Sequence, residues 1–171
     1  METVSQHSRL PLFNGAIEMG LRAAVILCDA HPIGYGLQRL VVLDYLLVHS
    51  DDLPDGPAGL HPQTPHRGGE LLVRRDALER GLNLLESRGL VERRFDPDGV
   101  VFAATESTAI FVDALSSDHS VILKERARWL VATLGSRSER ELTELATASI
   151  GVWGAEFVME SVLHEENPEW R

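Results

Sequence analysis

Four apolar side chains near the start of the chain recur at steps of three or four residues: Ile17, Leu21, Ala24 and Cys28. This spacing predicts an amphipathic helix with one face on the core. Asn14 stands before the pattern. His31-Pro32 ends it, because a residue that precedes proline disfavours the helical conformation. The lone Cys28 is interpreted as a small buried hydrophobe of this helix.

The stretch from Leu37 to His49 is apolar on nearly all sides, and its length favours a buried central helix over a strand. The residues Gly34-Tyr35-Gly36 before it are expected to form a turn. Asp44 interrupts the apolar run, and a buried carboxylate is costly unless it is paired. We therefore expect Asp44 to be a structural buried polar residue that meets a helix N-terminus or one of three candidate arginines: Arg39, Arg67 and Arg74.

The segment from Arg75 to Leu115 predicts a helix, a β-hairpin and a further helix. The first helix is marked by Leu78, Leu82 and Leu85 and by a glycine suited to a left-handed cap, Gly89. Leu90–Phe95 and Val100–Ala103 are strand-like around an Asp-Pro-Asp-Gly turn, and Thr105 is placed to cap the next helix. This order is that of the closing half of a winged helix-turn-helix.

Prolines and glycines crowd the stretch from Ser50 to Gly69, which predicts a long loop. His61 and His66 lie in this loop and His49 just before it. Two interpretations stay open: a metal site, or a proline-pinned loop over the helices whose histidines bond to backbone. The five-residue step between His61 and His66 fits no helical ligand pair, and no cysteine joins them, so we expect no metal.

Two more helices are predicted towards the C-terminus. The first is marked by five apolar residues before Gly135: Leu123, Ala127, Leu130, Val131 and Leu134. Ser138 and Glu141 form a capping box that opens the second. The apolar pattern of this helix extends to Trp153 and Phe157, which we expect to form a helix face that packs on its own domain or docks on a partner or a second copy.

These elements predict a mainly α (α+β) fold with a winged helix-turn-helix core, a β-hairpin wing and additional C-terminal helices. The expected boundaries are an N-terminal tail at 1–11, a winged-helix-like domain at 12–116 with an inserted loop at 50–69, and a C-terminal helical extension at 117–167. A length of 171 residues with 44% hydrophobic content suits one domain with such an extension.

The charges of the chain are unevenly distributed. The formal net charge is −10. Seven arginines face five acids between residues 67 and 94, a local excess of +2, so the other residues carry −12. The arginines form a candidate partner or nucleic-acid surface, and the alternative is that they balance acids within the domain: Arg67, Arg74, Arg75, Arg80, Arg88, Arg93 and Arg94. The acidic remainder opposes strong binding to a polyanion.

No pattern of catalytic residues is found. The chain has no phosphate-binding glycine loop, no nucleophile elbow, no His-Glu-x-x-His and a single lysine, so we expect a non-enzyme without a cofactor. The start of the chain has no signal-peptide pattern, and no apolar run approaches the ~18 residues that would span a bilayer. A cytoplasmic location without membrane contact is therefore expected.

Five segments of the chain resemble the middle component, second type, of bacterial ABC three-component antiphage systems of the Lamassu kind. They fall within residues 12–134 and are Phe13 to Arg22, Leu37 to Ser50, Gly56 to Arg67, Glu70 to Arg75, and Gly89 to Arg93. The resemblance implies a small accessory subunit beside a large coiled-coil ATPase of the structural-maintenance-of-chromosomes type and a separate effector, often a nuclease. It supplies no catalytic residues.

Two functions therefore remain, with a third as a control. The preferred one is a winged-helix adaptor that links the ATPase to the effector by protein–protein contacts, with DNA contacted weakly or only within the complex. The second is a stand-alone winged-helix DNA-binding transcriptional regulator, which would bind a palindromic operator as a two-fold dimer. The third, a metal-dependent enzyme at His49, His61 and His66, requires bound zinc.

Overall fold

The computed structural model describes residues 15–62, 67–97 and 99–150, and for 67–72 and 149–150 it describes the helical backbone alone. Within these ranges the elements are α1 (Ala16–Ala30), β1 (Tyr35–Gly36), α2 (Leu37–Val48), α3 (Arg67–Ser87), β2 (Val91–Asp96), β3 (Gly99–Ala104), α4 (Glu106–Ala114), α5 (Asp118–Leu134) and α6 (Glu139–Ile150). The predicted combination of mainly helical structure with a small β-component is confirmed. The sheet is antiparallel and its strand order is β1-β3-β2.

Helix α1 is the centre of the packing, in contact with α2, α3, α4, α5 and β3. The prediction of a single buried face was therefore wrong. Ile17 is exposed, Leu21 and Cys28 are half-buried, and the helix is buried on most sides from Met19 to Leu27. Because other elements surround α1, alternation between apolar and polar positions is not needed along it.

Helix α2 is buried from Arg39 to Val48, and the prediction of a buried helix is confirmed. The prediction of a turn at Gly34-Tyr35-Gly36 was wrong. Tyr35 and Gly36 form strand β1 and pair with Phe102 and Val101 of β3. A two-residue strand has no periodicity of its own. It exists because β3 offers an edge and because the Tyr35 side chain is buried in the core.

The predicted hairpin is confirmed with a register from Val91↔Ala104 to Asp96↔Gly99. Gly89 ends α3 at a φ of 68°, as its position predicted. The amide of Gly89 donates to the Glu86 carbonyl at 3.0 Å and that of Leu90 donates to the Leu85 carbonyl at 3.0 Å. These are the two bonds of a Schellman cap. The hairpin therefore leaves α3 at a fixed angle.

Helices α5 and α6 pack on the preceding elements, α5 on α1 and α2, and α6 on α2. The end of α5 at Gly135 and the capping box of α6 were predicted. Ser138 and Glu141 form the reciprocal box, with the Ser138 amide 2.8 Å from a Glu141 oxygen and the Glu141 amide 3.2 Å from Ser138 Oγ. One cluster of buried hydrophobic residues runs from α1 through α6. The boundary near residue 116 stays a prediction, and Trp153 and Phe157 lie outside the described residues.

The predicted loop begins with a 3-10 turn at Ser50–Asp52 and folds back on α2, because the amides of Leu60 and His61 both donate to the Val48 carbonyl. Helix α3 begins at Arg67, so the last three residues of the predicted loop, 67–69, belong to the helix instead. Arg126 of α5 fixes the loop by donating to the Ala58 carbonyl at 2.8 Å and to Ser50 Oγ. None of the helices in the described ranges has the length and apolarity to cross a membrane.

Candidate functional site: an exposed α3–hairpin face above a buried charge cluster

Asp44 lies at the centre of a buried charge cluster that joins three helices. Its side chain is 0% exposed and those of Arg22 and Arg74 are 1% exposed. Arg22 donates from Nε to Oδ1 at 2.6 Å and from Nη2 to Oδ2 at 3.1 Å. Arg74 donates from Nη1 to Oδ2 at 2.9 Å. Charge-assisted bonds to both carboxylate oxygens replace the water that burial removes.

The cluster continues to the half-buried Glu18 and to the residues at the end of α2. Glu18 accepts from Arg22 Nη1 at 3.1 Å, and burial raises the pKa of its carboxyl while Arg22 opposes that shift. The guanidinium of Arg74 lies 5.5 Å from the ring centroid of Tyr45, whose hydroxyl donates to Asp52 Oδ2 at 2.5 Å. Two arginines and two carboxylates thus stabilise the junction of α1, α2 and α3.

His61 lies near this junction, its ring centroid 6.1 Å from that of the buried His49. Burial lowers the pKa of His61 to about 4, with further lowering from Arg22 and Arg74. A histidine with this pKa is neutral at pH 7. Within the described ranges no three histidine, cysteine, aspartate or glutamate side chains are grouped to hold a metal, and His66 lies outside those ranges.

Of the proposed arginines whose side chains the structure describes, Arg74 contacts Asp44 and Arg39 does not. The guanidinium of Arg39 lies 4.6 Å from the Tyr35 ring centroid and bonds to the α5–α6 connection. Its acceptors there are the carbonyl oxygens of Leu134, Gly135 and Arg137 and a Glu139 oxygen. The Arg67 side chain lies outside the described part. Arg22 was missed, since residues 22 apart show no local signal of pairing.

The seven-arginine surface is not assembled as proposed. Arg74 is in the core and cannot reach a partner. Arg75 is half-buried and bonds to Gln38 Oε1 at 3.4 Å, while Arg80 and Arg88 are exposed. Arg93 and Arg94 are exposed on opposite sides of β2, because successive side chains of a strand alternate.

Arg93 faces α3 and fixes the hairpin against it. Its Nη2 donates to Asn83 Oδ1 at 2.8 Å and to Glu86 Oε2 at 2.9 Å. Arg94 points the other way and bonds to Glu92 at 2.6 Å and to the Pro32 carbonyl at 3.0 Å. The alternation that separates these two arginines also places Phe95 on the side of Arg93.

An exposed surface with apolar side chains results, here called the α3–hairpin face. Helix α3 contributes Val73, 67% exposed, and Leu84, 40% exposed, and the hairpin contributes Phe95, 83% exposed, and its register partner Val100, 42% exposed. Its polar members are Asp76, Glu79, Arg80, Asn83 and Arg93. Aromatic residues and arginine are enriched at protein-binding surfaces, and exposed apolar patches mark interaction sites.

The charge of this face does not favour nucleic acid. From Val73 to Ser87 the exposed charged residues of α3 are Asp76, Glu79 and Arg80. The exposed hairpin arginines are each paired with a carboxylate, Arg93 with Glu86 and Arg94 with Glu92. Few positive charges remain for phosphates.

The sequence was also compared with known proteins. No curated protein and no solved structure matches it. A family model, described as the ABC-three component (ABC-3C) system Middle Component 2, matches residues 12–156. This range includes helices α1 to α6, strands β1 to β3 and the α3–hairpin face. The chain therefore belongs to the Middle Component 2 family of ABC three-component systems.

Proposed function

We propose that the protein is a non-catalytic middle subunit that links the ATPase of its ABC three-component system to an effector through protein–protein contacts. Family membership supports an accessory role alongside other components. The observation that carries the proposal furthest is the α3–hairpin face, where Val73, Leu84 and Phe95 are exposed beside exposed acids of α3. A face of that composition suits a protein partner better than a polyanion.

The proposal includes a winged helix-turn-helix fold. Its support is the element order, since helix, strand, helix, helix and hairpin follow one another from α1 to β3 and the first strand joins the hairpin sheet. In that fold α3 takes the position of the recognition helix and the β2–β3 hairpin that of the wing. Both elements contribute to the α3–hairpin face, so a surface that reads nucleic acid in other proteins is assigned here to a protein.

The partners follow from the family resemblance. They are a coiled-coil ATPase of the structural-maintenance-of-chromosomes type and an effector with an activity such as DNA cleavage, in an antiphage system of the Lamassu kind. The middle subunit then transmits the state of the ATPase to the effector. In this arrangement DNA is contacted by the assembled complex.

A stand-alone DNA-binding regulator is the second candidate, and the order of elements favours it. The charges oppose it, because α3 exposes Asp76 and Glu79 where a recognition helix would present donors to bases and phosphates. The net charge of −10 opposes it as well. We therefore place the regulator second.

The test is co-purification of the three components with a variant of the α3–hairpin face. Arg80→Glu with Leu84→Glu should abolish capture of at least one partner, because one charge of the α3–hairpin face is reversed and a new charge replaces an apolar side chain. Unfolding temperature should change little, since both side chains are exposed.

The matched control carries the same two changes elsewhere, Ile110→Glu on α4 and Arg140→Glu on α6, where both side chains are exposed. This control should retain both partners. If the α3 variant keeps the complete complex and its ATP-dependent activity, the α3–hairpin face is not the partner surface.

A further inference from the structure

Among the strands of the described residues, β2 is an edge strand, because the order β1-β3-β2 places β3 on one side of it and no described strand on the other. The direction of the N–H and C=O groups of β2 can be deduced from those of its neighbour β3. The carbonyl oxygens of Val100 and Phe102 lie beside Gly36 and Gly34, on the side of β3 that faces β1. Backbone groups of an antiparallel strand alternate between its two neighbours.

The remaining residues of β3 therefore bond to β2. These are Val101 and Ala103, with register partners Arg94 and Glu92. It follows that the backbone N–H and C=O groups of Arg93 and Phe95 point away from the sheet. Within residues 15–62, 67–97 and 99–150, no backbone hydrogen bond satisfies these outward groups.

The charged side chains along β2 are complementary to those of a second, antiparallel copy of the same strand. Glu92 and Arg94 are exposed and lie 2.5 Å apart at their closest charged atoms. If two β2 strands run antiparallel about a two-fold axis at Arg93, Arg94 of each copy stands opposite Glu92 of the other. Phe95 of each copy stands opposite the buried Val91 and covers that end of the strand.

We propose that the protein forms a homodimer in which β2 pairs with β2 of a second copy, in the register centred on Arg93, to give one continuous six-stranded sheet. Each Glu92–Arg94 pair becomes half of a square of alternating charges across the interface. The two Arg93 side chains remain on their own α3 helices, each held by Glu86 and lying 5.2 Å from the Phe102 ring centroid. Their mutual repulsion is thereby reduced.

Other registers fit less well. A two-fold axis at Arg94 places Arg94 opposite Arg94 and Glu92 opposite Asp96, and like charges across a strand pair are destabilising. A two-fold axis at Phe95 places Arg94 opposite Asp96, but in this register only three residues of each β2 strand are paired. The centre at Arg93 pairs five residues and opposes unlike charges twice.

The first experiment is a charge exchange, read by sedimentation of the purified chain over a concentration series. Wild type should dimerise. Arg94→Glu alone and Glu92→Arg alone should each weaken dimerisation by about tenfold or more, because both cross-strand pairs become like-charged. Mixing the two variants should restore a dimer, since one chain then has carboxylates at both positions and the other has guanidinium groups at both.

The second experiment fixes the register by disulfide formation in a Cys28→Ser background. Arg93→Cys should form an inter-chain disulfide under mild oxidation, because facing residues in a hydrogen-bonded pair have Cα atoms about 5.5 Å apart, within disulfide range. Phe95→Cys is the control and should not, since its counterpart is displaced by four residues, roughly 13 Å.

Each outcome decides the proposal. A wild type that stays monomeric at all concentrations overturns the dimer. Cross-linking through Phe95→Cys and not Arg93→Cys, or failure of the mixed variants to associate, overturns the register and with it the charge argument. Melting curves of the variants check that the hairpin is folded. Because the purified chain alone is used, the result is independent of the proposed adaptor function.

Discussion

At the scale of single residues, the buried charge of Asp44 determines how three helices meet. Its carboxylate is fully buried and bonded by Arg22 of α1 and Arg74 of α3. A buried ion pair contributes little net stability against a well-packed apolar core, but loss of one partner leaves a charge without compensation. The cluster therefore makes the geometry of α1, α2 and α3 sensitive to any single change.

Asp44→Ala should lower the free energy of unfolding by roughly 3 to 5 kcal/mol, because the buried guanidinium groups of Arg22 and Arg74 both lose the carboxylate that they contact. Asp113→Ala is the control, an exposed aspartate of α4, and should change stability by about 0.5 kcal/mol or less. Denaturant titration of both variants measures the effect. Equal unfolding midpoints would contradict the account of the cluster.

His61 predicts a pH dependence of stability. Its pKa in the folded protein is about 4, below the usual value of 6.5, so the unfolded chain binds the proton more readily. The contribution of neutral His61 to the free energy of unfolding is complete above pH 6.5 and is lost as pH falls towards 4. Because carboxylates also titrate there, the measurement is a comparison with His61→Gln, whose unfolding free energy should fall less steeply between pH 6.5 and 4. If the unfolding free energies of wild type and His61→Gln fall in parallel with pH, burial does not lower the pKa of His61.

The sequence predicted part of this cluster. Asp44 could be recognised as buried because it interrupts an apolar run, and Arg74 was among its candidate partners. Arg22 could not be recognised as a partner of Asp44 from the sequence, because this pairing depends on how α1 crosses α2. The same limitation explains why Arg74 was also assigned to the surface: nothing in an arginine-rich stretch shows which side chain turns inward.

At the scale of elements, α1 and α3 approach each other through glycine. A Cβ on Gly81 would lie 2.3 Å from the Ala16 carbonyl oxygen and 2.7 Å from the Gly20 amide nitrogen. The backbones of α1 and α3 are therefore in contact. This close approach allows Arg22 and Arg74 to contact the same side chain of α2, Asp44. The end of α3 and the start of α6 were predictable because their caps, Gly89 and Ser138, act locally. Strand β1 and this glycine contact were not, because each exists only through a distant partner.

Gly81→Ala tests the close approach. The added methyl group forces α1 and α3 apart, which we expect to cost about 1 to 3 kcal/mol even though alanine favours helix formation. Gly15→Ala is the control, because a Cβ there meets open space. Thermal unfolding of the two variants should differ clearly. A Gly81→Ala protein at least as stable as wild type would contradict the backbone contact.

At the scale of the whole molecule, a negative net charge occurs together with exposed apolar side chains on the α3–hairpin face. The chain carries −10, and exposed acids lie on α3 itself. The net charge was readable from the sequence. Its distribution was not, because the local excess of arginine between residues 67 and 94 includes the buried Arg74 and the paired Arg93 and Arg94.

The isolated protein should therefore bind duplex DNA weakly and without sequence preference. Few phosphates can be neutralised, and binding should be lost as salt rises from about 50 to 200 mM. Gel shifts with random and operator-like duplexes at both salt concentrations measure this. A tight, salt-tolerant complex with one sequence would favour the regulator.

The role proposed for this subunit is to connect the other two components. The most direct measurement is affinity capture of the tagged ATPase from cells that co-express the effector, with and without this chain. We predict that the effector is captured with the ATPase only when the chain is present, and that the chain itself is found in the captured complex. Capture of equal amounts of effector in its absence would contradict the account.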